Sequence, residues 1–380
     1  MIRNKVWCSV RGGVPRVRWV CILVWTVAMA TWELLSPDVV PDAPLPRLLG
    51  CLVSLSLAAC AAFYVRHWFL GELQHTREIA KAAQRALLRP LPSRLDGLAV
   101  AAAQLSATRG ASVGGDLYEA LTTPYGVRIV IGDARGHGLG ALGAATAVLG
   151  SFREAAYEEP DLGGVLRRME RALGRNLRER AARVADPPVG GAGEPDGAPA
   201  EDFVTVLLLE VTAGQRVRMY NCGHPWPYRL RARGSQSGHR AGRKPVGGRS
   251  SAPGMVEPAC AFDPLPPLGV CPLPAELPDQ VVTRLEPGET LFLYTDGAED
   301  ARDRAGRDFP LHGVLSGSGS VATALSPAVL VAGVREALLH HTGGELTDDV
   351  ALLVLRNDYP RPPAQSGGQV VRRAVTPYGA

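Results

Sequence analysis

Hydrophobic positions along this chain follow two different patterns. Near the N-terminus they run almost unbroken: residues 19–35, WVCILVWTVAMATWELL, and 48–65, LLGCLVSLSLAACAAFYV, each come near the lower limit of roughly 17–25 residues for a membrane-spanning helix. Two spans are expected. Residues 68–88, WFLGELQHTREIAKAAQRALL, then place Leu73, Ile79, Ala83 and Leu87 at roughly helical spacing and stop at RPLP. That pattern predicts a linker helix, either a plain surface helix or one coupling membrane to domain, with homodimerisation through it as an option. From Gly97 onward short apolar strands take over: LAVAAAQL, DLYEAL, VRIVIGD, then DFVTVLLLEV, RVRMYNCG, VVTRL, TLFLYT and VALLVL. Helices are expected near 137–157, 161–182 and 327–341, the last with Ser326 as N-cap and Pro327 at its first position. The strand at 203–211 is apolar on both faces, as a sheet covered on both sides requires. Strands in runs, not in strict alternation with helices, predict an α+β sandwich.

Segments 185–201 and 233–254 are poor in apolar residues and rich in Gly, Pro and Ser, and the tail 357–380 is similar. They are expected to be disordered inserts and a disordered tail. The chain therefore divides into a membrane anchor (1–66), a linker helix (67–92) and a folded domain (93–356).

Charge orients the anchor. Arg3, Lys5, Arg11, Arg16 and Arg18 precede the first span, Asp38 and Asp42 lie between the spans, and Arg66 follows the second. The excess of bases at both outer ends predicts a multi-pass cell-membrane protein with both termini, and the folded domain, in the cytoplasm. A cleaved signal peptide ending at AMA (28–30) is the rival, but an apolar stretch running on to Leu35 exceeds the usual core of about 7–15 residues. Composition agrees with the two patterns: 46% of residues are hydrophobic and 21% charged, and a mean hydropathy of +0.03 is high for a purely soluble protein. A net charge of +4, with arginines spread along the chain, argues against a nucleic-acid partner. The seven cysteines show no C-x-x-C spacing, so neither a disulfide framework nor a zinc site is expected, and Cys222 reads as core.

The chemistry is carried by aspartates. In GGDLYEALTTPYGVRIVIGDARGHG (114–138), TTPYG (122–126) reads as a hairpin loop, and positions summing to about 248 or 249 then face each other. Asp116 lands beside Gly132 or Asp133. Like charges at the spacing of about 5 Å between opposed strand residues repel unless a cation lies between them. LFLYTDGAED puts Asp296 at the end of one strand, and LTDDVALLVL puts Asp348 and Asp349 at the start of another, ends that a sandwich can bring to one edge. Carboxylates without Cys or a paired His motif suit magnesium or manganese. Two such ions about 3.5–4 Å apart can activate a shared water and clamp a phosphoryl oxygen.

GGDLYEA, IGDARGHGLGA, YNCGHPWPYRL, PLGVCP, LFLYTDGAEDARDRAGRDF and LTDDVALLVL, in that order, resemble the SpoIIE/RsbU-like branch of the metal-dependent (PPM, type 2C) serine/threonine protein phosphatases. QRALLRPLP is similar to the segment that leads into such domains. The resemblance implies an α-β-β-α sandwich holding two divalent metal ions, manganese or magnesium, between its sheets. It implies that Asp133 bridges the ions, that Asp116 and the carbonyl of Ala134 hold one, and that Asp296 and Asp348 hold the other. Asp349 falls where the family commonly has Asn, and is expected to orient a ligand or a water. The implied substrate is a phosphorylated regulatory protein, an anti-sigma-factor antagonist opposed by a serine kinase. Ala134 and Arg135 stand where Val-Ser is common, and Ala351 where Thr or Ser is common; these departures bear on substrate preference and rate. The phosphate-binding arginine of the eukaryotic branch has no clear counterpart, which leaves Arg109 and Arg135 as candidates. His137 and His224 are candidates for protonating the leaving group, but each lies in a Gly- or Pro-containing turn, where a structural role is the favoured reading.

Two other readings compete. A catalytically inactive phosphatase fold would act as a tethered regulator, against which stand the four aspartates. GHGLGA after VRIVIGD also matches a dinucleotide-binding turn, but no strand follows the next helix to carry the acidic residue that such a fold needs.

Overall fold

The computed structural model of the chain describes residues 87–107, 114–136, 139–185, 203–231, 255–260, 263–277, 281–322 and 326–359, together with 62–67 and scattered positions between 25 and 84. The bulk of the two expected spans, of the 68–88 helix and of both inserts, and the tail beyond Tyr359, lie outside them. The chain divides into two units, Met1–Ile79 and Ala80–Ala380. In the first, Trp25, Leu52, Leu55 and Phe63 are helical and their large apolar side chains are exposed. Among the described residues no helix is long and apolar enough to cross a membrane.

The second unit is built on two sheets. In chain order its strands are β1 (Arg94–Leu95), β2 (Leu98–Leu105), β3 (Asp116–Thr123), β4 (Gly126–Ala134), β5 (Val204–Val211), β6 (Arg216–Cys222), β7 (Tyr228–Arg231), β8 (Met255–Pro258), β9 (Val281–Arg284), β10 (Thr290–Tyr294) and β11 (Val350–Asn357). One sheet has the order β1-β2-β11-β10-β7-β8 and the other β3-β4-β5-β6-β9. All neighbouring strands are antiparallel. Helices α1 (Leu139–Glu158) and α2 (Leu162–Ala185) pack on β3–β4 and β5–β6, while α3 (Leu311–Ala322) and α4 (Pro327–Thr342) pack on β7–β8 and on β2–β11. The result is the expected α-β-β-α sandwich.

Period-two patterning builds both cores. Leu291 and Leu293 of β10 and Ala351, Leu353 and Leu355 of β11 join the core shared with the second sheet. The alternate residues Phe292, Tyr294, Leu352 and Val354 pack with Leu315 of α3 and Leu330, Val334 and Leu338 of α4. β5 is buried along its length except for half-buried Thr205, as its two apolar faces require. Ser326 and Pro327 do begin α4, although the Ser326 side chain makes no capping bond, and Gly343 ends the helix in the left-handed conformation.

The structure differs from the sequence reading at several points, among them the short strands β1, β7 and β8, which the apolar pattern did not announce. The hairpin loop is not five residues: Thr123 pairs with Gly126, so the turn is Pro124-Tyr125 alone. The Thr123 hydroxyl closes it, accepting the Tyr125 N–H at 3.2 Å and donating to the Gly126 carbonyl at 2.8 Å. Helix α3 was not expected, because Gly313, Gly317 and Gly319 each cost about 1 kcal/mol against Ala. Leu311 and Leu315, one turn apart and both buried, offset this at roughly 2 kcal/mol each. The fold also continues past 356: Asn357 is buried and donates to the Leu285 carbonyl at 2.6 Å, and the Asp358 N–H reaches the Gly97 carbonyl at 3.0 Å.

Candidate functional site

The register of the first hairpin fixes the centre of the site. With a two-residue turn, partners sum to 249, and Asp116 stands directly opposite Asp133. Asp116 is buried and Asp133 half-buried. The two glycines before Asp116 make room for this: a Cβ on Gly115 would collide with the Ala134 carbonyl oxygen, and one on Gly114 with the Asp349 carboxylate. Only glycine lets the backbone approach so closely.

The other sheet delivers the remaining acids. Where β10 ends and β11 begins, the Thr295 N–H donates to the Ala351 carbonyl at 3.1 Å, and the Ala351 N–H donates to Thr295 Oγ1 at 2.9 Å. This bracket puts Asp296, Asp348 and Asp349 at one edge. Asp296 and Asp348 are exposed, whereas Asp349 is buried. Oδ1 of Asp349 accepts the Ala107 N–H at 2.6 Å, and Oδ2 accepts the side-chain amide of Gln84 at 3.3 Å. Gln84, itself buried, also donates to the Gly114 carbonyl at 3.3 Å. Oδ1 of Asp348 accepts the N–H of its own neighbour Asp349, at 2.8 Å.

The electrostatics are those of crowded acids. Burial, followed by the charges of Asp133, Asp349 and Asp348, holds the Asp116 carboxyl well above the usual carboxylate range; a bond from the Thr295 hydroxyl pulls the other way. Burial also raises Asp133, to about 7, with Asp296, Asp348 and Asp349 adding to it and Arg135 opposing. Asp296 reaches solvent, yet the surrounding protein still desolvates it, and with the Asp348 charge this raises its pKa. Acids that resist ionisation together are stabilised by a bound cation.

The donor set fits a hard divalent ion. Among the described residues no three acidic, His or Cys side chains close on one point by themselves. An ion here would complete its shell with backbone oxygen, such as the Ala134 carbonyl against Gly115, and with water. Magnesium and manganese accept such shells.

Several contributors were not singled out in the sequence. Thr205, the β5 partner of Asp133, accepts the Asp133 N–H at 3.2 Å, and Thr295 donates to Asp116 Oδ2 at 3.2 Å. Each is a hydroxyl in an otherwise apolar strand end, which is the signal that was available. His224 Nδ1 lies 3.0 Å from Thr205 Oγ1. A turn in which Asn221 accepts the His224 N–H at 2.8 Å and donates to its carbonyl at 2.7 Å fixes that residue. Burial lowers the His224 pKa to about 3, only partly offset by the Tyr294 backbone. It stays neutral, which does not suit a proton donor. Arg135 follows Ala134 at the same edge and is exposed; Arg109 and His137 lie outside the described residues. Cys222 is buried in the core. The dinucleotide reading of GHGLGA fails on topology, because β4 is antiparallel to both neighbours and α1 leads into α2 rather than a parallel strand.

The family model described as Stage II sporulation protein E (SpoIIE) matches residues 123–358. Asp116 precedes that stretch and joins the site through its pairing with Asp133. No curated protein sequence is significantly similar to the chain. Among solved structures, the RsbU and RsbW domains of a Mycobacterium tuberculosis protein are 21% identical with a TM-score of 0.45, covering 70% of this chain and 61% of that one. The chain thus spans less than two thirds of that protein. The SiaA-PP2C domain of Pseudomonas aeruginosa is 16% identical with a TM-score of 0.49, covering 77% of this chain and 98% of that one. The catalytic domain of the serine/threonine phosphatase PstP, solved in complex with two manganese ions, is 17% identical with a TM-score of 0.42, covering 68% and 97%.

Proposed function

The chain belongs to the SpoIIE family of PPM-type protein serine/threonine phosphatases, and from that premise we propose that it is a membrane-anchored enzyme that uses two divalent ions to hydrolyse phosphoserine or phosphothreonine on a cytosolic regulatory protein. The observation that carries the reading is Asp116 directly opposite Asp133, with Asp296 and Asp348 at the facing sheet's edge. Asp133 would bridge the ions, with Asp116 and the Ala134 carbonyl on one side and Asp296 and Asp348 on the other. Divalent ions held there supply positive charge to the phosphoryl oxygens and a nucleophile at neutral pH.

The chain's own residues do the rest. Thr205 and Thr295 fix the Asp133 backbone and the Asp116 carboxylate before any ion arrives. The depth order, with Asp116 buried, Asp133 half-buried, and Asp296 and Asp348 exposed, leaves the phosphorylated side chain an approach from the solvent side. Asp349, tied to Ala107 and Gln84, acts as a spacer that keeps the Asp348 end of β11 in place. The apolar runs 19–35 and 48–65, and the exposed apolar side chains of Trp25, Leu52, Leu55 and Phe63, support the membrane anchor. The proposed substrate is the phosphorylated anti-sigma-factor antagonist that the motif resemblance implies.

The test is turnover by the full chain in detergent, with manganese or magnesium, on p-nitrophenyl phosphate and a phosphoserine peptide. Metal-dependent release of phosphate is expected. A folded, metal-binding protein without turnover would favour the regulator reading instead. A reporter fused after Ala380 that is active only outside the cytoplasm would refute the proposed orientation.

A further inference from the structure

A site assembled from carboxylates has a second problem besides metal binding: its substrate, a phosphate monoester, is also an anion. Divalent ions supply charge to the phosphoryl oxygens, and a cationic side chain beside them would add a directional grip on the phosphate. The well-placed arginines of the domain are mostly committed elsewhere. Arg128 is buried against Glu210, Arg153 pairs with Glu119, and Arg229 with Glu289.

Arg135 is different. It makes no ion pair with any described residue, and its side chain is exposed. Its position is nonetheless fixed. It directly follows Ala134, the last residue of β4, and its N–H donates to the Phe203 carbonyl at 2.8 Å. Its guanidinium carbon lies 5.3 Å from the centroid of the Phe203 ring, a cation–π contact. Gly136 then takes φ 108, turning the chain immediately after it. The arginine is therefore held by its backbone and an aromatic ring, leaving the guanidinium fork unspent two residues from Asp133. Its charge already acts on that carboxylate.

We propose that Arg135 is the substrate-recognition residue of this site, its guanidinium binding the phosphate oxygens of the phosphoserine or phosphothreonine while Phe203 serves as its platform. The inference rests on the phosphatase reading above and names the residue that reading lacks. The planar fork matches two phosphate oxygens at once, which a lysine ammonium cannot do. Having no ion pair to break, Arg135 is free to engage the phosphate.

The experiment uses the full chain loaded with manganese and inorganic phosphate as the probe, with phosphate binding measured calorimetrically and as inhibition of p-nitrophenyl phosphate hydrolysis. In Arg135→Gln the dissociation constant for phosphate and the KM should rise about tenfold or more. Arg135→Lys should recover only part of this, and Phe203→Leu should give a smaller rise. Manganese affinity of Arg135→Gln should be unchanged or tighter, because a cation has left the neighbourhood of Asp133. Unchanged phosphate affinity in Arg135→Gln overturns the proposal, as does loss of manganese and phosphate binding together, which marks a structural role. A wild-type chain that binds manganese and phosphate without turnover refutes the phosphatase reading, while the calorimetric comparison still decides the role of Arg135.

Discussion

Asp348 and Asp349 are neighbours in sequence with opposite fates: Asp348 is exposed at the site's edge, whereas Asp349 is buried with both carboxylate oxygens accepting bonds, from Ala107 and Gln84. Successive residues entering a strand face opposite sides, so one acid is left available to an ion and the other is spent on the fold. Asp348→Asn should therefore weaken manganese binding by more than about 100-fold with little change in the melting temperature of the metal-free protein. Asp349→Asn should cost about 10 to 100-fold, the range for residues that orient ligands, and should also lower the melting temperature. Manganese titration and thermal melts of the two variants decide it; the reverse pattern would exchange the roles.

The crowded acids make a prediction about stability without metal. As pH rises from about 4 toward 7, the unfolded chain releases protons that folded Asp133, raised from 3.8 to about 7, still holds. Stability is lost wherever the native state binds more protons, so this group lowers it across that window. His224 has the opposite sign: its pKa falls from 6.5 to about 3 on folding, and stability is lost as pH drops below 6.5. At pH 7.5 only the acid effect remains. Asp133→Asn should then melt higher than the wild type without metal, by at least about 2–4 °C, the shift that 1 kcal/mol gives in a large domain. Manganese should raise the wild type's melting temperature and leave the variant's unchanged. A metal-free Asp133→Asn that melts lower at pH 7.5 would show that the aspartate is already compensated.

Much of this was legible because local chemistry and fold agree. The facing of Asp116 and Asp133 follows from hairpin arithmetic, and the convergence of Asp296 with Asp348 from apolar strands that end and begin on acids. Less legible was anything set by another segment. Helix α3 forms around glycines because Leu311 and Leu315 find a sheet to cover, a tertiary effect that outweighs propensity. Strands β7 and β8, with four residues each, are too short to carry a period. The ties from Gln84 to Asp349 and from His224 to Thr205 cross 265 and 19 positions of sequence, and no pattern along the chain encodes them.

Thr205 links two of these features, accepting the Asp133 N–H while contacting His224 Nδ1. A valine there would strand both partners, whereas serine keeps the hydroxyl. Thr205→Val should reduce turnover about 10 to 100-fold, and Thr205→Ser should restore most of it. If His224 acts through Thr205, the loss in a Thr205→Val, His224→Leu double variant will be smaller than the product of the two single losses, as for residues in one hydrogen-bonded network. Strictly multiplicative losses would show that His224 serves the core alone.

The last expectation concerns the segment between β7 and β8. Arg231 and Met255 are direct partners at the open end of that strand pair, so the chain leaves and returns at adjacent points, and a two-residue Asn-Gly turn suffices to join them. Replacing 232–254 with such a turn leaves intact the ion pairs of Arg231 with Glu257 and Glu289, and β8 is the outermost strand of its sheet, away from the β10–β11 edge that carries Asp296 and Asp348. Loop closure favours the change, since each halving of a flexible loop is worth about 0.6 kcal/mol and this is between three and four halvings. The shortened protein should melt cooperatively at or above the wild-type temperature, with manganese affinity and turnover of p-nitrophenyl phosphate within about twofold. A lower, broadened melt would mean that 232–254 supplies core contacts. A normal melt with turnover lost would place that segment at the substrate, contrary to the geometry of the sheet.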